Sequence, residues 1–347
     1  MDQIGEILSP VGDRFFIFGD EVVLSITSDR IVNALERSDK IPIIERFRGE
    51  CSYPEIFRLK TEAERSQAQA IIGIGGGKTL DTTKVVSLQL NLPLVIIPTI
   101  ASTDAPVSHL AVVYNENHSV QEILRIEART SLVFVDTDII AHAPVRFLLA
   151  GIGDALSTKF ETEACWKSGA TNLFGGKPCQ AALHLAGLAY EIIREYGEEA
   201  KSSVESKKVT PALENVVEAI FLLSGLGFEN GGLAAAHAVH GGLSLIQEMN
   251  QNLHGETVAF GILVQLVLEN REQDFIDDMI GFYKRLGLPT SLEELGLKEV
   301  DMGKIEKAVG MVCREGSYIF NMPFRVDKRT VVESILRADS LGKGKDS

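Results

Sequence analysis

The first 140 residues alternate short apolar runs with longer polar or amphipathic segments. Apolar runs of this length that end at Gly, Pro, Asp or Asn are typical of strands buried on both faces. Helical segments between such strands predict a parallel α/β sheet. The predicted strands are Phe15–Phe18, Ile41–Ile44, Ala70–Ile74, Leu94–Ile97, Ala111–Tyr114 and Leu132–Val135.

From Pro144 onward, the apolar positions recur with the period of a helix, and Gly and Pro interrupt the pattern. We therefore predict an α/β domain over residues 1–143 and an all-helical domain over residues 144–347. The predicted helices of the second domain include Ala181–Tyr196, Thr210–Leu223, Glu256–Asn270 and Glu272–Leu286.

Composition and charge restrict the partners of the protein. The 347 residues are 45% hydrophobic, which suffices for a large core. The 34 basic and 48 acidic side chains give a net charge of −14, which argues against nucleic acid or an anionic membrane surface as a partner. A small, uncharged substrate fits this balance better than a polyanion.

The sequence predicts a soluble cytoplasmic protein. Its N-terminus has no basic segment followed by an apolar one, and no run of about 18 uncharged apolar residues occurs. The four cysteines are far apart and form no CxxC pair, which favours reduced thiols over a disulfide framework or a thiolate zinc site. They are Cys51, Cys165, Cys179 and Cys313.

A glycine-rich stretch, GIGGGKTLDTTK, spans Gly73–Lys84. A nucleoside-triphosphate P-loop would require glycine at Ile72, and the GxGxxG fingerprint of dinucleotide-binding folds would require it at Lys78, so neither pattern is complete. Two interpretations remain from the residues alone. The stretch is either an anion site at a helix N-terminus near Thr79, or a strand-to-helix turn that uses glycine for its geometry.

Four residues of the second half have the chemistry of a metal site. Asp154 opens a predicted helix. His237 and His240 are three residues apart, on one face of a second predicted helix, and His254 follows His237 by seventeen residues. One carboxylate and two imidazoles with an open fourth position suit a catalytic Zn²⁺ ion, and the same set binds Fe²⁺. The alternative is that each histidine is an ordinary core or surface residue.

Two further segments of the first domain carry candidate binding groups. A hydroxyl-rich loop around Asp104 follows Pro98 at the end of a predicted strand, where open α/β sheets bind ligands, although Asx or ST turns use the same residues. Asp20 directly follows another strand. A carboxylate there binds ribose hydroxyls and repels the 2′-phosphate of NADP, but a lone Asp is also a common helix cap.

Five motifs, in this order along nearly the whole chain, resemble those of the glycerol dehydrogenases, the zinc-using branch of the iron-containing alcohol dehydrogenase superfamily. They are GIGGGKTLDT, PTIASTDAPVS, AGIGDALST, GFENGGLAAAHAVHGG and LHGETVAFG. The resemblance implies the fold shared with dehydroquinate synthase, in which the α/β domain binds NAD and the helical domain binds metal and substrate.

The resemblance also implies the roles of individual residues. Asp154, His237 and His254 would bind the metal and contact the substrate, while His240 would be a nearby catalytic residue that is not a ligand. Asp104 would be catalytic and would accept a hydrogen bond from a substrate hydroxyl. The iron-using branch has a fourth ligand, a histidine, at the position of Thr158, which favours zinc here.

The NAD site implied by the resemblance includes the glycine-rich stretch, the acid after the first strand and the hydroxyl-rich loop. Ser108, Leu110 and Tyr114 would border the nicotinamide. The complete set is Asp20, Gly75, Gly76, Gly77, Lys78, Asp81, Thr99, Ser102, Ser108, Leu110 and Tyr114.

The activity implied is the NAD-dependent oxidation of glycerol to dihydroxyacetone and its reversal, in a homo-oligomer that the resemblance makes an octamer. Gly241, Val107 and Phe320 depart from the family pattern. These departures leave an alternative, a related dehydrogenase or reductase whose substrate is another vicinal diol, an α-hydroxy ketone or a 2-oxo acid. A dehydroquinate synthase-like lyase needs a cluster of Lys and Arg to hold phosphate and carboxylate, and the metal-motif segments contain few of either.

Overall fold

A computed structural model describes residues 1–115, 120–126 and 130–344. The chain forms two compact units. The first comprises Met1–Ala101 and Ala105–Ala143, and the second comprises Ser102–Asp104 and Pro144–Ser347. The predicted fold class is confirmed, because the first unit contains a parallel sheet with helices and the second is helical.

The sheet of the first unit has five parallel strands within the described residues, in the order β2-β1-β3-β4-β7. The three inner strands are buried along nearly their whole length, which explains why their sequences are continuous apolar runs. The strands are β1 (Arg14–Gly19), β2 (Ile41–Arg46), β3 (Ala70–Gly75), β4 (Leu94–Pro98) and β7 (Thr130–Val133).

The placement of Ala111–Tyr114 in the parallel sheet was wrong. This run forms β5 (Leu110–Tyr114), which pairs antiparallel with β6 (Val120–Arg125) in a separate two-stranded sheet. Only alternate residues of β5 are buried, and β6 is exposed at nearly every position, so β6 has no apolar pattern to detect.

Helices pack on the sheet of the first unit. One of them, α4, begins at Gly77 directly after the glycine-rich turn, two residues earlier than the sequence predicted. The helices of this unit are α1 (Ile4–Ile7), α2 (Glu21–Glu36), α3 (Tyr53–Arg65), α4 (Gly77–Leu90) and α5 (Thr137–Ala141).

The second unit is built from long helices. They are α6 (Val145–Ser168), α7 (Gln180–Glu205), α8 (Pro211–Glu218), α9 (Gly225–Gly231), α10 (Ala235–Leu243), α11 (His254–Leu268), α12 (Gln273–Leu286), α13 (Met302–Val312) and α14 (Lys328–Gly342). A π-helical segment, Ala219–Ser224, joins α8 to α9 without a break. The resulting stretch Pro211–Gly231 is long and apolar enough to cross a membrane, but 67% of its apolar window is buried, as in the core helix of a soluble protein.

Glycines allow α11 to lie in direct backbone contact with α6 and α10. A Cβ atom added to Gly255 would lie 1.8 Å from the carbonyl oxygen of Ala150, and one added to Gly261 would lie 2.4 Å from that of Ala236. Both distances are far below any van der Waals contact, and the obstacle is backbone, so any larger residue would force the helices apart. The sequence of α11 therefore sets how closely three helices approach one another.

We expect Gly255→Ala to destabilise the second unit by about 1–3 kcal/mol or more, because the new methyl group overlaps the α6 backbone. Thermal unfolding of chelator-treated protein measures the packing effect without a contribution from bound metal.

Gly187→Ala is the matched control. Gly187 lies inside α7, and a Cβ there meets nothing within 4 Å. The control should be as stable as the parent or slightly more stable, because alanine favours helix over glycine. Equal unfolding temperatures for the two variants would contradict the importance of the α6–α11 contact.

Candidate functional site

Three predicted metal ligands lie together in the second unit. Asp154 comes from the middle of α6, His237 from α10 and His254 from the first position of α11. Asp154 Oδ1 lies 3.5 Å from His237 Nε2 and 3.2 Å from His254 Nε2, and one ligand atom from each of the three lies within 4.8 Å of the others. The close helix contact at Gly255 adjoins His254 and permits this approach.

The geometry of this cluster fits a small divalent cation. Ligand atoms about 2.1 Å from a tetrahedral Zn²⁺ ion are about 3.4 Å from one another, which matches the two measured separations. Asp154 is buried, and burial alone would raise the pKa of its carboxyl group. The charges and hydrogen bonds of His254 and His237 outweigh burial and lower that pKa well below its usual value. An anionic carboxylate is the form that binds a metal.

Glu161, which the sequence reasoning missed, orients His237. Its side chain is completely buried one turn beyond Thr158 on α6. Glu161 Oε2 lies 2.6 Å from His237 Nδ1, and Oε1 accepts hydrogen bonds from the backbone N–H groups of His237 and Ala234 at 2.9 and 2.8 Å. With the proton on Nδ1, the lone pair of Nε2 faces Asp154. The available signal was that Glu161 follows Asp154 by seven residues, on the same helix face.

The same carboxylates act on the protonation of His237. Burial alone would lower the pKa of its imidazole, but the charge of Glu161 and the hydrogen bonds to Asp154 and Glu161 raise it well above its usual value. A proton and a metal ion therefore compete for Nε2.

His240 lies beside the cluster without joining it. Its Nε2 atom is 3.0 Å from His254 Nδ1, and the two rings meet edge to face with centroids 4.3 Å apart. Burial, with the nearby charges of His254 and His237, lowers the pKa of His240 well below its usual value, so it is neutral at physiological pH. Its Nδ1 atom is buried without a hydrogen-bond partner among the described residues.

Asp104 belongs to the second unit and lies within electrostatic reach of the cluster. Its Oδ2 atom accepts a hydrogen bond of 3.0 Å from the Ser224 hydroxyl, which in turn lies 2.8 Å from Thr158 Oγ1. Burial and the charge of Asp154 raise the pKa of Asp104 well above its usual value, and the Ser224 hydrogen bond partly opposes them. Ser224 is another residue of the site that the sequence did not identify.

The glycine-rich turn of the first unit brings backbone to the start of α4. Gly75 has a φ of +157°, and a Cβ there would lie 2.7 Å from Thr79 Oγ1. A Cβ at Gly76, the N-cap residue of α4, would lie 2.8 Å from the Ile100 side chain. No described side chain caps this helix, so its first N–H groups face the turn. Such an N-terminus favours an anion.

Other predicted cofactor residues surround this turn. Lys78 makes a 2.8 Å ion pair with Glu50, and its amine lies 5.0 Å from the centre of the Tyr114 ring. Thr99 is buried and its N–H donates to the carbonyl oxygen of Gly75 at 3.1 Å. Ser108 is also buried, and its hydroxyl accepts a hydrogen bond from the Leu110 N–H.

Asp81 uses both carboxylate oxygens within the first unit. Oδ1 accepts from the amine of Lys84 at 3.0 Å, and Oδ2 accepts from the Val112 N–H of β5 at 3.0 Å. The Lys84 amine also donates to the Leu110 carbonyl oxygen at 2.7 Å. Asp81 therefore ties α4 to β5. The sequence reasoning did not single out Lys84, because a lysine on a helix is expected at the surface, whereas this side chain is buried.

The remaining two predicted cofactor residues have distinct positions. Asp20 caps α2, since its Oδ1 atom accepts from the Val23 N–H at 2.9 Å. Capping was the alternative interpretation of this residue, and it leaves the second oxygen for another contact. Ser102 falls with Asp104 in the second unit, apart from the other predicted cofactor residues.

Comparisons with known proteins agree with one another. Residues 1–137 match the family described as iron-containing alcohol dehydrogenase. A glycerol dehydrogenase of Citrobacter freundii is 45% identical over 98% of this chain and 93% of its own, and a glycolaldehyde reductase of Halobacterium salinarum is 40% identical over 98% and 93%. The crystal structure of glycerol dehydrogenase from Schizosaccharomyces pombe is similar with a TM-score of 0.95, at 36% identity, over 99% of this chain and 88% of that one.

We expect Glu161→Gln to lower the affinity of the three-residue cluster for Zn²⁺ by about 10–100-fold. An amide at this position can accept from the two backbone N–H groups, but its NH₂ group then faces His237 Nδ1–H and opposes the tautomer that presents Nε2 to the metal. Competition with a chromophoric chelator measures the affinity.

The control for this prediction is Glu163→Gln, on the same helix, where the side chain is half-buried and paired with Lys159 at 2.7 Å. It should leave zinc affinity unchanged. If both variants bound zinc as tightly as the parent, Glu161 would have no part in orienting the ligand.

Proposed function

The chain belongs to the glycerol dehydrogenase group of the iron-containing alcohol dehydrogenase family, and on that premise we propose that it oxidises glycerol to dihydroxyacetone with NAD, and catalyses the reverse reaction. It is an oxidoreductase. The observation that carries the proposal is the cluster of Asp154, His237 and His254, found in a chain with this degree of identity to glycerol dehydrogenases over its full length.

We propose that the metal is Zn²⁺, held by Asp154, His237 and His254. The ligand types and their separations support this choice. Thr158, at the position of the fourth ligand of the iron-using branch, is hydrogen-bonded to Ser224, which supports a site with three protein ligands. When bound, the ion supplies Lewis-acid chemistry that lowers the pKa of the substrate hydroxyl.

The protein's own residues orient the substrate and move its proton. Asp104 accepts a hydrogen bond from a hydroxyl next to the reacting carbon, which favours vicinal polyols over simple alcohols. Neutral His240 accepts a hydrogen bond at Nε2 from His254 Nδ1–H and so holds the His254 ring in the tautomer that leaves its Nε2 to the metal. The proton of the substrate hydroxyl leaves to water by way of Asp104 or, as the alternative, His240.

NAD accepts the hydride from the secondary carbon of glycerol. The bare N-terminus of α4 supports placing the pyrophosphate there, and Asp20 supports a choice of NAD over NADP. The proposed site comprises Asp20, Gly75, Gly76, Gly77, Lys78, Asp81, Thr99, Ser102, Ser108, Leu110 and Tyr114.

We further propose that the enzyme is cytoplasmic and acts as a homo-oligomer, an octamer by resemblance. Large apolar side chains that remain exposed on the helices of the second unit, such as Leu188 and Leu222, support association.

A second candidate activity is reduction of a small α-hydroxy carbonyl compound. The 40% identity to a glycolaldehyde reductase supports it, as do the departures at Gly241, Val107 and Phe320.

The test is NADH formation by zinc-loaded protein with glycerol, propane-1,2-diol, butane-2,3-diol and lactate, and NADH consumption with glycolaldehyde. We expect turnover of glycerol and its loss with a chelator.

Asp154→Asn should remove both stoichiometric zinc and activity, because a neutral amide is a far weaker zinc ligand. Absence of turnover with every diol, despite bound zinc and NAD, would refute the polyol activity, and a preference for glycolaldehyde would favour the second candidate.

Asp20→Asn tests the proposed choice of NAD. Asparagine caps a helix as well as aspartate does, so the unfolding temperature should stay the same. Removal of the negative charge should raise the kcat/KM ratio of NADP to NAD by roughly tenfold. Asp29→Asn, an exposed change on the same helix, is the control. If the NADP-to-NAD ratio of kcat/KM did not change in Asp20→Asn, Asp20 would have no part in the choice between NAD and NADP.

A further inference from the structure

We propose that Thr158 and Ser224 are positioning residues that hold the Asp104 carboxylate in the orientation that receives a substrate hydroxyl. The inference rests on the proposed function of Asp104 and extends it to two residues that act through that side chain. The three side chains form one hydrogen-bonded series, from Thr158 on α6 through Ser224 to Asp104.

Hydrogen-bond accounting assigns a direction to this series. The hydroxyl of Ser224 donates its single proton to Asp104 Oδ2, over 3.0 Å. Ser224 Oγ then has only acceptor capacity left, and Thr158 Oγ1, 2.8 Å away, donates to it. Both hydroxyl-bearing residues are at most 2% exposed, so water does not compete for these bonds.

Two features of the backbone hold the hydroxyl groups in place. Ser224 is the last residue of the π-helical segment, whose wider turn contains one more residue than an α-helical turn. An added residue rotates the following side chains by about 100° relative to an uninterrupted α-helix. Thr158 is held by its contact with Gly227 of α9. Its methyl group packs where Gly227 has no side chain, and a Cβ added to Gly227 would lie only 2.9 Å from the Thr158 methyl carbon.

The free oxygen of Asp104 is the one that serves the substrate. No described residue donates to Oδ1, while Oδ2 is held by Ser224. A carboxylate tethered at one oxygen rotates less about its side-chain bonds, so less entropy is lost when a substrate hydroxyl binds the other. The rival role for Thr158 is that of a fourth metal ligand, and the engagement of its hydroxyl with Ser224 argues against that role.

The variants Ser224→Ala, Thr158→Val and the double variant test the proposal, with KM and kcat for glycerol measured at saturating zinc and NAD. Ser224→Ala should raise KM roughly tenfold, because it removes the hydrogen bond that orients Asp104. Thr158→Val should raise KM less, and Thr158→Ser, which keeps the hydroxyl, should restore it. In the double variant, Thr158→Val should add nothing, because Thr158 acts only through Ser224.

The control pair is Ser203, which is buried, and Thr210, which is half-buried; their hydroxyl oxygens lie 2.6 Å apart elsewhere in the second unit. Ser203→Ala should leave KM unchanged. Zinc affinity and NAD affinity should be the same in every variant. Additive effects in the double variant, or a rise of KM in Ser203→Ala, would overturn the positioning role, and a loss of zinc affinity in Thr158→Val would identify Thr158 as a ligand instead.

Failure of the proposed function is visible separately, in the parent protein. If the parent does not oxidise glycerol, the same variants are compared on the substrate that it does turn over. If it turns over none, the coupling between Ser224→Ala and Asp104→Ala in unfolding free energy is measured, and zero coupling would overturn the hydrogen-bonded series itself.

Discussion

The cluster of Asp154, His237 and His254 depends on one steric constraint, the backbone contact between α6 and α11. No side chain fits at Gly255, which faces the Ala150 carbonyl oxygen, and the residue before it is His254. This contact brings the imidazole of His254 to 3.2 Å from Asp154. A similar contact, between Gly261 of α11 and the backbone of Ala236, holds α10 against α11. His237 follows Ala236 on α10 and is positioned by this contact. Packing of glycine against backbone, more than any polar interaction, determines the separation of the ligands.

Acidic groups that repel one another lie close together around the cluster. Asp154 and Glu161 are buried on one helix, and the charge of Asp154 also acts on Asp104. His237 lies between the two carboxylates of α6 and holds a proton strongly when no metal is bound. A divalent cation bound there would provide that compensation and displace the proton, so metal binding and proton binding would be linked at this site.

The sequence predicted the strands and helices whose burial produces a regular pattern of apolar residues. It did not predict the elements that lack such a pattern. The inner strands are buried on both faces and appear as apolar runs, whereas β6 is exposed and indistinguishable from a loop. Asp154 and the histidines were recognisable as metal-binding types, but choosing His254 over His240 required resemblance, because both are plausible by spacing. Glu161 and Lys84 look like ordinary surface residues until the helices are packed, since their burial depends on partners far away in the sequence.

The buried pair of Asp81 and Lys84 gives α4 a mechanical role. The helix starts in the glycine-rich turn, and one turn later this pair holds Leu110 and Val112 of β5 by their backbone groups. Turn, helix and hairpin are thus joined by side chains that are themselves buried. The glycine-rich turn and the strand that carries Leu110 and Tyr114 are therefore attached to the same helix, so the position of that strand depends on the position of the helix that begins in the turn.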